Sequence, residues 1–464
     1  MAKVRQFSWL VWMIGGLSSF ISSVPLFGAP DTAVGMIYDA PATSVVPALF
    51  FEGDPVAGYF IAVRASSSAS VHFREDLRVE IAPQNWSTNL LALGIEAIDD
   101  SVVTFYPPVT GARPNLRVTG YHDAVGVHAR NRSLVDFRGI ADIRGAWDAT
   151  FARLSDNSRL LLSGNVRVQQ DSNAPSLGVD VTGSAFLSIT GKMEVVDDGN
   201  FDATLVSVSG AAEAYVGGTL NSWDAGNGNA VLIDARNASK TVVVGTGAIR
   251  ETGNGDAIGV RASGQSVVDF RGDFSLQEDG NGAFAFFELT GQSHATFRGA
   301  LRGTSTGISN PPVMRLSQNA SLDILGGVMS GEMERTPVIE LRDHAVMNWY
   351  GGELSFHQGG ASLLPRFTLN DSSVLKMHVR NANFGLGEVS ALQGRITGSL
   401  ADGTEFDFDF TRSSAAAIIL VPEPTSSLLI GVFFVGILGG RRWRARLVVR
   451  QSRGTSALDA LHSK

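Results

Sequence analysis

The chain has 464 residues, of which 18% are charged, with 52 glycines, no cysteine and a formal net charge of −8. The charge balance excludes a basic nucleic-acid surface, and the lack of cysteine excludes disulfides, thiol catalysis and thiolate metal sites. The composition is too apolar for a disordered chain and too rich in glycine for a helical one.

At the N-terminus Lys3 and Arg5 precede an apolar segment, Phe7 to Phe20, with small and turn-forming residues after it. This pattern predicts a secretory signal peptide over 1–29, cleaved between Ser23 and Ala29. The alternative is an uncleaved membrane anchor. Residues 30–59 are proline-rich and irregular, and are expected to cap the first coil of the repeat region.

From 60 to 385 the chain repeats itself. Each unit holds a short alternating strand, a polar turn closing on Ser or Ala, a second alternating strand, and often a glycine; FFELTGQSHATFRGALRG, from Phe286, is one such unit. The closing residue recurs at Ser133, Ser158, Ala185, Ala212, Ser239, Ser266, Ser293, Ala320, Ala345 and Ser373, mostly 27 residues apart, with weaker units at Ala69 and Ser101. A glycine column keeps the same period: Gly139, Gly164, Gly191, Gly217, Gly245, Gly272, Gly299, Gly326 and Gly351.

Two residues before each glycine stands an apolar residue: Phe137, Leu162, Ile189, Tyr215, Val243, Phe270, Phe297, Ile324 and Trp349. Its neighbours are small, polar or charged, so period-two alternation points this column inward. A unit this short cannot bury its apolar face alone; stacking on its neighbours buries it. The expected fold class is all-β, a parallel β-helix (solenoid) of about 11–12 coils at roughly 4.8 Å per coil. A β-propeller is the runner-up, but its blades need ~40 residues or more.

After 385 the register breaks. ALQGRITGSLADGTEFDFDF alternates around an Asp402-Gly403 turn, which predicts a hairpin cap over 386–414. Ser413 to Ala417 reads as a small, flexible connection. Beyond it come Val421-Pro422-Glu423-Pro424, an apolar run from Leu428 to Gly440, and a cluster of Arg441, Arg442, Arg444, Arg446 and Arg450. The apolar run is short for a free-standing membrane span, which needs ~20 residues. The arginines mark a cytoplasmic end by charge, and the prolines keep the approach extended.

These three elements in this order resemble the PEP-CTERM sorting signal of Gram-negative, exopolysaccharide-producing bacteria, here over 415–446. The sorting residues on that resemblance are Pro422, Glu423, Pro424, Arg441, Arg442 and Arg444. It implies transient inner-membrane anchoring through the apolar helix, cleavage near Pro422–Pro424 by the membrane enzyme exosortase, and delivery to the outer surface or matrix. The chain departs from the pattern in continuing past the arginines, as a cytoplasmic extension over 447–464. In architecture the repeats resemble bacterial surface solenoids such as autotransporter passengers.

The parallel β-helix architecture also includes polysaccharide lyases and hydrolases, so catalysis must be weighed. Hydrolases need paired carboxylates a few ångströms apart. Asp136, Asp269 and Asp323 share an outward column but stand on coils that are not adjacent. Arg271 and Arg298 lie one coil apart beside Asp269, as expected of a solvated ladder of mixed charge. His128, His294, His344 and His357 are scattered, and no HExxH, GxSxG or phosphate-loop motif appears. The expectation is a non-enzymatic exported rod, structural or adhesive, with exopolysaccharide as a partner and no nucleic acid. The alternative is a carbohydrate-binding or carbohydrate-active β-helix.

One loop constellation stands out. DDGN, DAGNGN, ETGNGD and EDGNG begin at Asp197, Asp224, Glu251 and Glu278, each 27 residues after the last. Their acids, glycines and asparagines (Asn200, Asn227, Asn254 and Asn281) form three columns. The structural reading gives glycine a positive-φ corner and stacks the asparagines in hydrogen bonds. The functional reading places four carboxylates roughly 5 Å apart along one edge of the rod, where repulsion and oxygen-rich chemistry suit a Ca²⁺ ion.

Overall fold

The computed structural model describes residues 32–423, apart from 47, 54–57, 82–89, 108–114, 121, 171–173 and 308–311. The signal peptide, Pro424, the apolar run, the arginine cluster and the extension over 447–464 lie outside the described residues. Within them the chain is all-β, a parallel β-solenoid of about 12 turns with a period near 27 residues and no helix.

A full turn has three strands, and each pairs in parallel with its equivalents one turn before and one turn after. Ala257–Ala262 lies between Ala230–Ala235 and Phe284–Leu289 in a first sheet. Val267–Phe270 lies between Lys240–Val243 and His294–Phe297 in a second. Asp273–Glu278 lies between Thr246–Glu251 and Ala300–Ser305 in a third. Strict alternation makes the second sheet: His294 and Thr296 face out while Ala295 and Phe297 are wholly buried.

The inward column of the second sheet runs Phe73, Phe105, Phe137, Leu162, Ile189, Val216, Val243, Phe270, Phe297, Ile324, Trp349, Met377 and Leu420. Its aromatic members stack along the axis, with ring centroids 4.5 Å apart for Phe73 and Phe105 and 5.9 Å for Phe270 and Phe297. The closing Ser and Ala of the polar turn are all buried, from Ala69 and Ser101 to Ser373. The corner just before each closing residue holds left-handed backbone, at Asn131, Asn237 and Asp371 among others.

Tyr215 corrects the expected column. It points outward and is 40% exposed, while Val216 takes the core position. The corner glycine of that turn is Gly218, not Gly217. A Cβ on Gly218 would stand 2.0 Å from the Gly191 carbonyl oxygen. Gly327 and Gly352 likewise replace Gly326 and Gly351 as the stacked corner residues. Where two glycines adjoin, spacing alone cannot say which one the preceding coil touches.

The expected hairpin around Asp402-Gly403 forms, but both ends of the chain's described residues also carry strands of the rod. Within the described part of 30–59, Thr32–Tyr38, Thr43–Val46 and Leu49–Gly53 form a turn of their own, paired in parallel with the next. Pro41 falls at a corner, where it interrupts no ladder. At the far end Gln393–Leu400 and Glu405–Arg412 form an antiparallel hairpin around Gly403, whose φ is +92°. Yet Glu405–Arg412 also continues the first sheet beside Arg366–Leu369, and Ala417–Pro422 continues the second beside Val374–Ala382. The rod therefore reaches Pro422. The stretch read as flexible is held, since the Ser413 hydroxyl donates to the Asp371 carbonyl at 2.9 Å and Ala416 is buried.

Candidate functional site

The acidic columns come together as spaced. Asp197, Asp224, Glu251 and Glu278 stand in register on four successive turns of the third sheet. Their surroundings are not those of an open edge, because all four are wholly buried. The reason is strand parity: Met193, Val195 and Asp197 share the inward face, and the acid is the last inward residue before the corner.

One oxygen of each acid accepts the amide hydrogen of the glycine two residues on. The distances are 2.6 Å for Gly199, 2.8 Å for Gly226, 2.7 Å for Gly253 and 2.6 Å for Gly280. Glu278 also accepts from the Ser305 hydroxyl at 3.1 Å, which ends the column. The second oxygens of Asp224 and Glu251 are buried with no hydrogen-bond partner among the described residues. Burial is the main cause that pushes the carboxyls up, to about 6 for Asp197, about 8 for Asp224 and about 7 for Glu251, with Glu278 raised as well. Neighbouring acids add to the rise: Asp197 and Glu251 act on Asp224, and Glu278 acts on Glu251.

The glycines beside them serve close approach. None of Gly199, Gly226, Gly253 and Gly280 is among the positive-φ residues. A Cβ on Gly226 would fall 1.1 Å from the Gly199 carbonyl oxygen, and one on Gly253 would fall 1.5 Å from that of Gly226. Outside them Asn227 donates to Asn200, Asn254 to Asn227, and Asn281 to Asn254 at 2.6 Å. A second ladder ties the Asn229 amide to Asp202, the Asp256 amide to Asn229, and the Ala283 amide to Asp256, at 2.9–3.0 Å. Among the described residues no group of three or more His, Cys, Asp or Glu is arranged to hold a metal ion. The case for Ca²⁺ assumed ionised acids; in a buried column a proton on alternate acids relieves the same repulsion.

On the second sheet, Asp136 pairs with Arg138 and Asp269 with Arg271, each with the arginine just past the end of its own strand. A longer ladder of mixed charge stands on the first sheet, where Arg261 meets Asp202 at 2.9 Å and Glu288 at 3.3 Å, and Arg315 meets Glu340 at 3.5 Å. His294 is not isolated. Its Nδ1 lies 2.8 Å from the Ser321 hydroxyl, and its Nε2 lies 3.8 Å from Asp323. This trio has the residue types of a nucleophile relay. It sits, however, on strands whose backbone is paired to the turns on both sides, so no amide of those strands is left to polarise a carbonyl.

Sequence reasoning missed a groove of about 360 Å³ on the second sheet. It is lined by Phe186, Ser188, Glu213, Tyr215, Lys240 and Val242, from three adjacent turns. The signal was present in the GlyGly pair at 217–218, which moves Tyr215 to the outside.

Of the sorting residues, Pro422 and Glu423 are described. Pro422 ends the last strand opposite Val379. The Glu423 amide donates to the Val379 carbonyl at 3.1 Å, and its carboxylate lies 3.4 Å from Arg380. Among the described residues no helix is long and apolar enough to cross a membrane. No protein family, curated protein or solved structure matches this chain.

Proposed function

We propose that this chain is an exported, non-enzymatic rod, displayed on the outer surface of a Gram-negative bacterium or held in its exopolysaccharide matrix, with a structural or adhesive role. The observation that carries the reading is the junction at the end of the rod. The last strand, Ala417–Pro422, runs straight into Pro422-Glu423-Pro424, and the apolar run and arginines follow in sequence. Cargo thus ends where the handle begins. On this reading the N-terminal 1–29 directs export. The Leu428–Gly440 segment and Arg441, Arg442 and Arg444 hold the chain at the inner membrane until exosortase cleaves near the motif. The outward charges of the rod are largely held in ion pairs, which suits a scaffold better than a catalyst.

Intact-mass analysis of surface-extracted protein tests this. The expected species lacks 1–29 and ends near Pro422–Pro424; a mature species retaining Arg441 to Lys464 overturns the reading. A second reading, in which the rod binds glycan, is favoured by the groove at Phe186 and Tyr215.

A further inference from the structure

We infer that the asparagine ladder is a self-modifying edge, whose Asn-Gly steps convert to aspartate and isoaspartate one turn at a time, beginning at Asn281. Three observations carry this.

The first is that stacking itself sets a glycine after each asparagine. The Asn-Gly steps of the chain are Asn227-Gly228, Asn254-Gly255 and Asn281-Gly282, all in the ladder. A Cβ on Gly228 would fall 1.9 Å from the Phe201 carbonyl oxygen. On Gly255 it would fall 1.5 Å from that of Gly228, and on Gly282 1.8 Å from that of Gly255. No larger residue fits so close an approach. Glycine also leaves its amide nitrogen unshielded. That nitrogen can attack the side-chain carbonyl of the asparagine before it, an intramolecular ring closure favoured by proximity.

The second is that the three carboxamides are unequally held. Asn227 donates to Asn200 and accepts from Asn254. Asn254 donates to Asn227 and accepts from Asn281 at 2.6 Å. Asn281 donates to Asn254, but its own oxygen accepts nothing among the described residues. The residue that would continue the ladder one period on is Ile308, which has no side-chain donor. Asn281 is therefore tied at one end only. It is exposed, so its Cγ is free to turn towards Gly282 and water can reach it.

The third is a base in place. The Gly282 amide donates its hydrogen to Glu278 Oε1 at 3.1 Å. In the ring closure the Gly282 nitrogen bonds to Asn281 Cγ and its proton passes to the Glu278 carboxylate. A proton returned through solvent lets Nδ2 leave as ammonia, and the product is a succinimide. Water then adds at either ring carbonyl and opens it to aspartate or isoaspartate. Both products end the donation from residue 281 to Asn254 and set a carboxylate against the Asn254 oxygen. Asn254 then becomes the loose end, so the reaction moves one turn back along the rod.

The test is to hold the full-length chain in mild detergent at neutral pH in heavy-oxygen water, digest it at intervals, and map the labelled residues by mass spectrometry. Label enters Asn281 first, roughly tenfold faster than Asn227, with Asn254 lagging Asn281. In guanidinium chloride the three steps should react alike, because each has the same following residue and no ladder. Asn281→Ala, with an unchanged melting temperature, should make Asn254 react as fast as Asn281 does in the wild type; Asn281→Asp, which reproduces the product, should release Asn254 in the same way. Equal rates at the three asparagines of the folded chain would overturn the inference. So would an Asn281 that stays unlabelled while the unfolded chain converts, or an Asn254 that stays slow in both variants. The ladder chemistry is independent of sorting and of glycan binding, and its failure would leave both readings untouched.

Discussion

Asp224 lies beside Glu251 in register on adjacent turns, both wholly buried, each holding a glycine amide with one oxygen while the other has no hydrogen-bond partner among the described residues. Two ionised acids cannot share such a place at low cost. The folded rod therefore holds protons that the unfolded chain releases.

This sets the direction of a pH effect. The folded values of about 6, 8 and 7 for Asp197, Asp224 and Glu251 stand above those of free carboxylates. The folded state binds the extra protons, so stability falls as pH rises. The contribution of the column is fully present below about pH 4 and is lost as the pH climbs through about 6 to 8. Thermal melts from pH 4 to 9 should show a declining midpoint across that window. Asp224→Asn with Glu251→Gln should flatten the decline, and an equal slope in the double variant would remove the column as its source.

Were the column to take calcium, protons would compete with it, because a cation binds only ionised acids. Millimolar CaCl₂ should raise the melting temperature above NaCl of equal ionic strength only at about pH 8 and higher, by mass action on the folded state. Equal effects of the two salts at pH 9 would dispose of a calcium site at Asp197, Asp224, Glu251 and Glu278.

Phe270 is wholly buried between Val243 and Phe297, while Asp269 faces out and pairs with Arg271. Phe270→Ala should cost about 3–5 kcal/mol, and Asp269→Ala no more than about 0.5 kcal/mol. Denaturant titration separates them; similar losses would refute the assigned alternation.

The two glycines at 217 and 218 should respond differently to alanine. At Gly218 the new Cβ meets the Gly191 carbonyl at 2.0 Å, in rigid backbone, so a loss of about 1–3 kcal/mol is expected. At Gly217 it meets only the edge of the Tyr215 ring, which can move outward, and the loss should stay below about 0.5 kcal/mol. Reversed magnitudes would restore Tyr215 to the core.

Truncation tests where the rod ends. Ile418 and Leu420 are buried in the last strand. A chain stopped after Glu423 should melt as the full chain does, whereas one stopped after Ser414 should melt lower because it strips that strand from Val374–Ala382. Equal melting of the two would place the boundary back at residue 415.

The coil and its period were legible in the sequence, because a stacked fold repeats one local environment and so repeats the residues that environment admits. Phe137, Phe270 and the closing serines could be placed from spacing alone for that reason. Strand parity at the end of a repeat was not legible. Whether Asp197 is a loop residue or the last inward residue of a strand depends on where pairing with Asp224 stops, and that is set by the neighbouring turns. The same holds at Gly217-Gly218, where either glycine satisfies the local pattern and only the approach of the Gly191 carbonyl selects one. The first turn, Thr32–Gly53, and the last strand, Ala417–Pro422, carry weak repeat signals, yet they are drawn into the rod because a solenoid's open edge pairs with whatever extended chain lies beside it. The column of acids was thus written in the sequence, while its burial, and the aromatic groove one sheet away, were decided by stacking.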